Sequence, residues 1–252
     1  MSGKNDIHAF IIHLMRASAR KPQVDRILAA CPLQAHVIEA VDGRALSGEY
    51  VDAVYSSDSF HAPRYPFKLG LGEVGCFLSH RKAWQAILDK GLEAGLVIED
   101  DVEMDRVVFT EALELARANI AERGVIQFQV RQIKDPGPVI AMHNDVQLTR
   151  PAVVPLRASC TLYSRSAVKQ LLGQTERFDR PIDTYVQMHW VTGIRPGLAI
   201  PSGVHDKGQE IGGTTIQARN KPMSERFARE VLRPFYRAKV LAYSRLNDRP
   251  KI

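Results

Sequence analysis

A short apolar run that ends in three consecutive carboxylates constrains the fold of this chain more than any other feature. Residues 96–98 are Leu-Val-Ile, then Glu99, Asp100 and Asp101 follow directly, and a helical pattern restarts near Val107. Such a run is typical of a buried parallel strand, and ligands of open α/β sheets bind where strands end at their carboxyl edge. Three acids packed there repel one another unless a cation or hydrogen-bond donors compensate their charge. The run therefore predicts a strand that leads into an acidic site.

Two interpretations of this acidic site are open from the residues alone. Carboxylate oxygens favour Mg²⁺ or Mn²⁺, ions that bridge protein carboxylates to the phosphates of a substrate. The alternative is an acidic turn in which Asp caps the next helix and complements its dipole. Alternate side chains of an extended segment share a side, so we expect Glu99 and Asp101 to face one way and Asp100 the other.

The composition is that of one α/β domain, or one domain with an added element. The chain has 252 residues, of which 45% are hydrophobic and 25% charged, as is usual for globular domains. No apolar stretch approaches the ~20 residues of a membrane span, and the run near the N-terminus is too short for a secretory signal. Three cysteines without a CxxC spacing favour a reducing compartment over a disulfide framework or a zinc site. We therefore expect a cytoplasmic protein.

Strand and helix patterns alternate along the chain, which predicts a doubly wound, mostly parallel sheet. No Gly-rich dinucleotide fingerprint follows the first strand and no P-loop motif occurs, so both kinds of nucleotide site are disfavoured. Residues 44–70 are expected to be irregular, and residues 132–155 to form a hairpin or loops. The expected strands are 7–14, 35–41, 96–98, 125–130 and 160–163, and the expected helices are 23–30, 72–90, 109–123 and 164–173.

The basic character of the chain is concentrated at its C-terminal end. Residues 219–252 hold ten Lys/Arg and three Asp/Glu, a net charge of +7, whereas the whole chain carries +6. Phe227, Val231 and Phe235 recur there at four-residue steps with arginines around them, and Pro234 is expected to kink or interrupt the helix,. A basic amphipathic helix is typical of an anchor on an anionic membrane surface. Packing onto the body is the alternative, and nucleic acid is disfavoured because no reading motif is present.

Several motifs follow one another in an order that is specific to one family. Over about residues 7–216 the chain resembles glycosyltransferase family 25, the lipooligosaccharide galactosyltransferase and glucosyltransferase group. His13 stands where that family usually has Asn. The motifs that carry the resemblance are Ala40-Val41-Asp42-Gly43, Gly72-Glu73-Val74-Gly75-Cys76-Phe77-Leu78-Ser79-His80, Glu99-Asp100-Asp101 and Pro181-Ile182-Asp183.

The resemblance implies a GT-A type fold with a Rossmann-like nucleotide-sugar half, about residues 1–130, and an acceptor half, about 131–218, followed by the basic tail 219–252. It implies a metal-dependent enzyme, with Mn²⁺ or Mg²⁺, that transfers galactose or glucose with inversion from a UDP-sugar such as UDP-galactose. The implied acceptor is a lipopolysaccharide or lipooligosaccharide core, which places the protein peripherally on the inner face of the bacterial inner membrane. A metal-dependent phosphohydrolase and a non-catalytic sugar-nucleotide-binding protein are the alternatives.

The resemblance also implies roles for particular residues. Asp101 is the first metal ligand, and Glu99 binds the metal or the ribose. The late segment His205-Asp206 supplies a third ligand, for which His205 is chosen and a surface-turn histidine is the alternative. Asp183 is the general base on the acceptor hydroxyl, for which a helix N-cap is the alternative. The residues expected to contact the nucleotide sugar are Arg16, Arg20, Asp42, Ser79, His80, Glu99 and Asp100.

Overall fold

Eight strands form one central sheet in the computed structural model, which describes residues 6–210 and 223–248, the side chains of 223–229 excepted. The strands are β1 Ile7–His13, β2 Ala35–Glu39, β3 Ala94–Glu99, β5 Val125–Phe128, β6 Val139–His143, β7 Val146–Thr149, β8 Cys160–Ser164 and β9 Gly197–Ile200. Their order across the sheet is β2-β1-β3-β8-β5-β9-β7-β6. Strands β7 and β8 run against the other six. The predicted α/β class with a mostly parallel sheet is therefore confirmed.

Helices cover both faces of the sheet because successive residues of each strand point to opposite sides. In β1, Ala9 and Ile11 belong to one buried cluster, together with side chains of helices 21–30 and 106–123. Phe10 and Ile12 belong to the other cluster, together with side chains of helices 71–89 and 165–174. The helices are α1 Lys21–Ala30, α2 Gly48–Val54, α3 Leu71–Asp89, α4 Arg106–Arg123, α5 Arg165–Gln174, α6 Ile182–Val186, α7 His189–Thr192 and α8 Met223–Leu246.

The carboxyl ends of β1 and β3 meet at one edge of the sheet. The two strands are parallel neighbours, and Ile12 pairs with Glu99. A small antiparallel pair extends beyond this edge, in which β4, Val102–Met104, runs beside β10, Val204–Asp206. This edge therefore gathers the acidic run from the middle of the chain and a segment from far along it.

Two expectations differ from the observed elements. Residues 44–70 are not irregular throughout, because α2 forms within them, with the Ser47 hydroxyl accepting a hydrogen bond from Tyr50 N at 3.2 Å. The helix of the basic tail is not interrupted, since α8 continues through Pro234. The expected hairpin within 132–155 is present as β6 and β7. The side chain of Phe227 and the boundary at residues 218–219 lie outside what the structure describes.

Two motif glycines allow α3 to lie directly against the segment that follows β2. A Cβ on Gly75 would lie 2.6 Å from Val41 O and 2.8 Å from Gly43 N, and a Cβ on Gly43 would lie 1.8 Å from Leu71 O. Ser79 adds a bridge, because its hydroxyl donates to Gly75 O at 2.6 Å and accepts from Val41 N at 2.8 Å. Since no side chain fits between these backbones, the two motifs fix the position of α3 on the sheet.

Helix α8 packs on the body through residues that recur every four positions. Tyr236, Val240 and Ser244 are buried, and Ser244 hydrogen bonds to His189 at 3.0 Å and donates to Ala152 O. The apolar side chain of Phe235, by contrast, is 64% exposed. None of the helices in the described residues is both long and apolar enough to cross a membrane.

We predict that Gly75→Ala lowers the free energy of unfolding by about 1–3 kcal/mol, as overpacking does. The added methyl group would meet backbone atoms of residues 41 and 43, which cannot rotate away. Urea denaturation followed by circular dichroism measures the change.

Gly173→Ala is the matched control because Gly173 also lies in a helix, α5, and a Cβ there meets nothing within 4 Å. This substitution should leave stability unchanged or raise it by about 0.5–1 kcal/mol. Equal effects of the two substitutions would contradict the close approach of α3.

Candidate active site

A cavity of about 850 Å³ opens at the carboxyl edge of β3. Glu99 and Asp101 line one wall, which we call the acidic wall. Segment 153–159, which precedes β8, and the start of α6 line a second wall and bring Asp183 into the cavity. Helix α8 forms the third wall with Arg233, Tyr236, Arg237, Val240 and Leu241.

The middle acid of the run is turned away from the cavity and buried in a network of its own. Asp100 Oδ2 lies 2.7 Å from His13 Nδ1, and its Oδ1 accepts a hydrogen bond from Arg20 Nη1 at 2.6 Å. All three side chains are at least nine-tenths buried. Arg20 and Asp100, both expected at the nucleotide sugar, are therefore partners of each other and do not line the cavity.

Glu99 faces the cavity and is held by three neighbours. It accepts a hydrogen bond from Ser159 Oγ at 2.8 Å, and His80 Nε2 and Cys76 Sγ lie 3.1 and 3.7 Å from its Oε1. Burial alone would raise the pKa of Glu99, but the hydrogen bonds from His80 and Ser159 outweigh it and hold the pKa below its ordinary value,. Burial and the nearby Glu99 carboxylate together raise the pKa of the Cys76 thiol well above its ordinary value. Glu99 is thus ionised and Cys76 is a neutral thiol.

Asp101 is the acid whose charge lacks compensation. Its Oδ1 is buried and has no hydrogen-bond partner among residues 6–210 and 223–248. Burial, and next the charge of Glu99, raise the pKa of Asp101 to about 7,. A cation at this position would oppose that shift, because it favours the ionised carboxylate.

Asp206 lies beside Asp101, and His205 does not. In the β4–β10 pair, Asp206 is opposite Val102 and His205 is opposite Glu103, so the two residues point to opposite sides. Asp101 Oδ2 and Asp206 Oδ1 each lie 3.2 Å from the position that a Cβ on Gly208 would take. His205 is exposed and away from the cavity wall. Of the segment His205-Asp206, the structure therefore places Asp206 and not His205 beside Asp101, and Asp206 is the better candidate for a ligand.

The acidic wall fits a divalent cation on two observations. One is the unpartnered oxygen of Asp101, and the other is the space at Gly208 between oxygens of Asp101 and Asp206, which any side chain at 208 would fill. Carboxylate oxygens are the ligands that Mg²⁺ and Mn²⁺ prefer.

A second donor group adjoins the acidic wall. Ligand atoms of Cys76, His80 and Glu99 all lie within 4.8 Å of one another, and thiolate with imidazole would suit a softer ion such as Zn²⁺. However, His80 Nδ1 has no partner among the described residues, whereas a metal-bound histidine ordinarily donates its other ring N–H. The carboxylates of Asp101 and Asp206 are therefore the better fit.

Asp183 lies in the first turn of α6, two residues beyond the N-cap Pro181. Its carboxylate accepts hydrogen bonds from Thr184 N at 2.7 Å and from Arg157 N at 3.1 Å. Burial raises its pKa, although these hydrogen bonds oppose the shift,. A carboxylate with a raised pKa is a stronger base than an exposed one, as general-base catalysis requires.

Arg157 contacts both Asp183 and Asp206. Its backbone N–H binds Asp183, and its Nη1 lies 2.8 Å from Asp206 Oδ2. Its φ of 92° lies in the left-handed region, which a residue with a Cβ rarely adopts,. Gln127 holds this conformation, because its Nε2 donates to Arg157 O and, at 3.1 Å, to Pro155 O.

Four further residues expected at the nucleotide sugar do not line the cavity, namely Arg16, Asp42, Ser79 and His80. Arg16 Nε donates to Asp42 Oδ2 at 2.5 Å in a partly exposed pair, and Ser79 is buried in the bridge to residue 41. Their predicted contacts stay predictions. Sequence reasoning missed Ser159, Arg157 and Gly208, for which the sequence carries no local signal, and it did not foresee that α8 forms a wall.

Comparison with known proteins identifies the family. Procollagen galactosyltransferase 1 of Danio rerio is 38% identical over 107 residues, which are 42% of this chain and 18% of the relative. Inactive glycosyltransferase 25 family member 3 of Mus musculus is 36% identical over 95 residues, 37% of this chain and 16% of the relative. The chain thus spans less than a fifth of the length of these relatives.

Among solved structures, mannose-1-phosphate geranyltransferase from Thermus thermophilus aligns with 77% of this chain and 73% of its own, at 13% identity and a TM-score of 0.40. The family match is far more specific, because residues 6–149, with both glycine motifs and the acidic run, fit one family throughout. The chain belongs to glycosyltransferase family 25 (LPS biosynthesis protein).

Proposed function

We propose that this protein transfers a hexose, galactose or glucose, with inversion from a UDP-sugar to a lipopolysaccharide or lipooligosaccharide core acceptor, with Mn²⁺ or Mg²⁺ as cofactor. The observation that carries the proposal is one cavity in which Asp101 and Glu99 line one wall and Asp183 another. A metal-binding acid and a separate base around one space are what single displacement at a sugar carbon requires.

The residues of the acidic wall would serve the donor. Asp101, Asp206 and Glu99 would hold the cation, which when bound neutralises the charge that develops on the diphosphate leaving group. Ser159 and His80 keep Glu99 ionised through their hydrogen bonds.

Asp183 would serve the acceptor. Its carboxylate takes the proton of the acceptor hydroxyl, the hydroxyl oxygen forms a bond to carbon 1 of the sugar, and the bond from that carbon to the diphosphate oxygen breaks, releasing UDP. The N–H groups of Thr184 and Arg157 fix the direction of the carboxylate. A base that is held in place before the substrate binds does not have to be ordered during the reaction.

The choice of acceptor rests on the family description and on α8. The family is described as one of lipopolysaccharide biosynthesis, whereas the Danio rerio relative is named for procollagen. Helix α8 carries exposed Val231, Leu232 and Phe235 beside Arg233 and Lys239. An exposed apolar stripe with basic neighbours supports an acceptor at an anionic membrane surface, peripheral to the inner face of the inner membrane.

A UDP-release screen tests the activity. Wild type with Mn²⁺ should release UDP from UDP-galactose or UDP-glucose when a truncated core oligosaccharide is added, and EDTA should abolish the release. Asp101→Asn should remove Mn²⁺-dependent UDP binding in calorimetry, because the substitution removes the charge that holds the cation. Glu103→Gln is the control, since Glu103 lies two residues away, pairs with His205 in β10 and does not line the cavity.

Three outcomes would count against this assignment. Unchanged UDP affinity in folded Asp101→Asn protein would exclude the proposed metal site. Acceptor-independent release of inorganic phosphate would indicate a phosphohydrolase. Transfer to a procollagen peptide but to no core oligosaccharide would replace the acceptor.

Asp183→Asn should reduce transfer by about 10²–10⁴-fold, the loss typical of removing a general base. UDP affinity should stay within about twofold, because Asp183 is proposed to contact the acceptor and not the donor. Steady-state transfer and UDP calorimetry on the same preparation separate the two effects. Asp145→Asn, in the exposed β6–β7 turn, controls for the loss of a carboxylate. Near-wild-type turnover in Asp183→Asn would place the base elsewhere.

Full-length protein should co-sediment with phosphatidylglycerol vesicles at 0.1 M salt, and much less at 1 M, where the Debye length falls from about 10 Å to about 3 Å. Replacing both Val231 and Phe235 by Ser should weaken binding, because these side chains are 43% and 64% exposed on α8 and are proposed to insert.

Met142→Ser is the control for the vesicle experiment, since Met142 is similarly exposed, at 61%, but lies on β6. Equal sedimentation with phosphatidylcholine vesicles, or an equal loss in the Met142 variant, would contradict a specific membrane face on α8.

A further inference from the structure

Helix α8 is fixed on the body, so the side chains beside its buried stripe have defined directions. Tyr236 accepts a hydrogen bond from the buried Arg180 Nη1 at 3.2 Å, Val240 is 2% exposed, and Ser244 binds His189. One position C-terminal to the residues of this stripe, and therefore about 100° around the helix, lie Arg237 and Leu241. Both line the cavity, as does Arg233, one turn before Arg237.

Arg233 and Arg237 bring positive charge to the cavity, and the described residues form no close ion pair that neutralises it. Arg237 forms no hydrogen bond or ion pair with any residue in 6–210 or 230–248. The nearest carboxylate to Arg233 within that part of the chain is Glu230, at 3.8 Å on an exposed side chain, and such a pair contributes little. Arg157 also lines the cavity, on segment 153–159, but its guanidinium already forms an ion pair with Asp206.

Arg233 and Arg237, which we call the arginine wall, line the same cavity as the proposed base, Asp183. Tyr236 lies between these arginines in the sequence and lines the same cavity as Asp183. Burial is the main cause that raises the pKa of Tyr236, and the charge of Asp183 contributes to the same shift. The cavity therefore has acids on one wall, at Glu99 and Asp101, and two arginines on the wall that α8 forms.

We propose that Arg233 and Arg237 bind an anionic group, a phosphate or a carboxylate, that the acceptor carries near the hydroxyl to be glycosylated. The proposal rests on the transferase function proposed above, and it specifies the acceptor class. Guanidinium groups match the geometry of both oxyanions and can bind them through two parallel hydrogen bonds. The diphosphate of the donor is not the ligand proposed here, because the cation at the acidic wall would compensate its charge.

The test is an NMR titration with three probes, glucose 6-phosphate, glucuronate and glucose, in the presence of UDP and Mn²⁺. Wild type should bind at least one of the anionic probes at least about tenfold more tightly than glucose, the effect of one charge-assisted hydrogen bond. The double variant Arg233→Gln/Arg237→Gln should lose this preference and keep its affinity for UDP. Comparing the two anionic probes distinguishes a phosphate from a carboxylate.

The control is Lys239→Gln/Arg245→Gln, which removes the same two charges from α8 at exposed positions away from the cavity. An equal loss in the control would reduce the effect to general electrostatics and overturn the proposal. Equal affinity of wild type for all three probes would do the same. A fall in UDP affinity in the arginine variant would assign these residues to the donor diphosphate.

This measurement requires no turnover, so its failure differs from failure of the proposed function. Asp101→Asn tests the donor site through UDP binding alone. If UDP binding depends on Asp101 and the anion preference is absent, the transferase assignment stands and the anionic acceptor is wrong.

Discussion

Asp100 is buried together with the two groups that compensate its charge, His13 at the end of β1 and Arg20 just before α1. An ionised carboxylate in this position is costly unless it is paired, and losing one partner of a buried pair typically costs about 3–5 kcal/mol. The network therefore admits one direction for Asp100. Asp100 is directed inward at the turn that follows β3, and Glu99 and Asp101 on either side of it line the cavity. Glu99 and Asp101 then repel each other in the folded chain. A cation bound beside them would relieve this repulsion.

A second buried charge positions the opposite side of the cavity. Arg180 is fully buried and is bound by the adjacent Asp179, by the carbonyl groups of His61 and Pro63, and by Tyr236 of α8. One guanidinium thus ties the loop before α3, the segment leading to Asp183 and the C-terminal helix to one point. The rigid planar shape of the group explains why arginine can satisfy partners in several directions at once. Displacement of α8 would remove the Tyr236 hydroxyl from Arg180. The position of the arginine wall therefore depends on the same guanidinium that binds the segment leading to Asp183.

Sequence reasoning predicted the features that depend on local sequence patterns. The apolar run before Glu99 and the alternation of strand and helix are short-range signals, and the strand end, the mostly parallel sheet and the hairpin follow from them. The roles of Ser159 and Asp206 depend on contacts between segments about 60 and 100 residues apart from the acidic run, where no pattern records the pairing. His205 illustrates the limit, because the sequence offers His205-Asp206 as one segment and only the register of β4 with β10 shows which of the two lies beside Asp101. Arg20 and Ser79 illustrate the converse, since motif residues were assigned to ligand binding whereas their described contacts hold the framework.

This division between framework and cavity bears on why one family includes members named as inactive. The family match ends at residue 149. It includes Gly43, Gly75 and Asp100, whose contacts would be required of any protein with this fold, active or not. Asp183 and the arginine wall lie beyond the match, on α6 and α8. Resemblance in the matched part therefore establishes the family, while the proposed base and the cavity arginines of α8 belong to the part beyond it. In this chain the part beyond the match supplies a carboxylate at Asp183 that two N–H groups hold in place, and two arginines on α8 that line the same cavity.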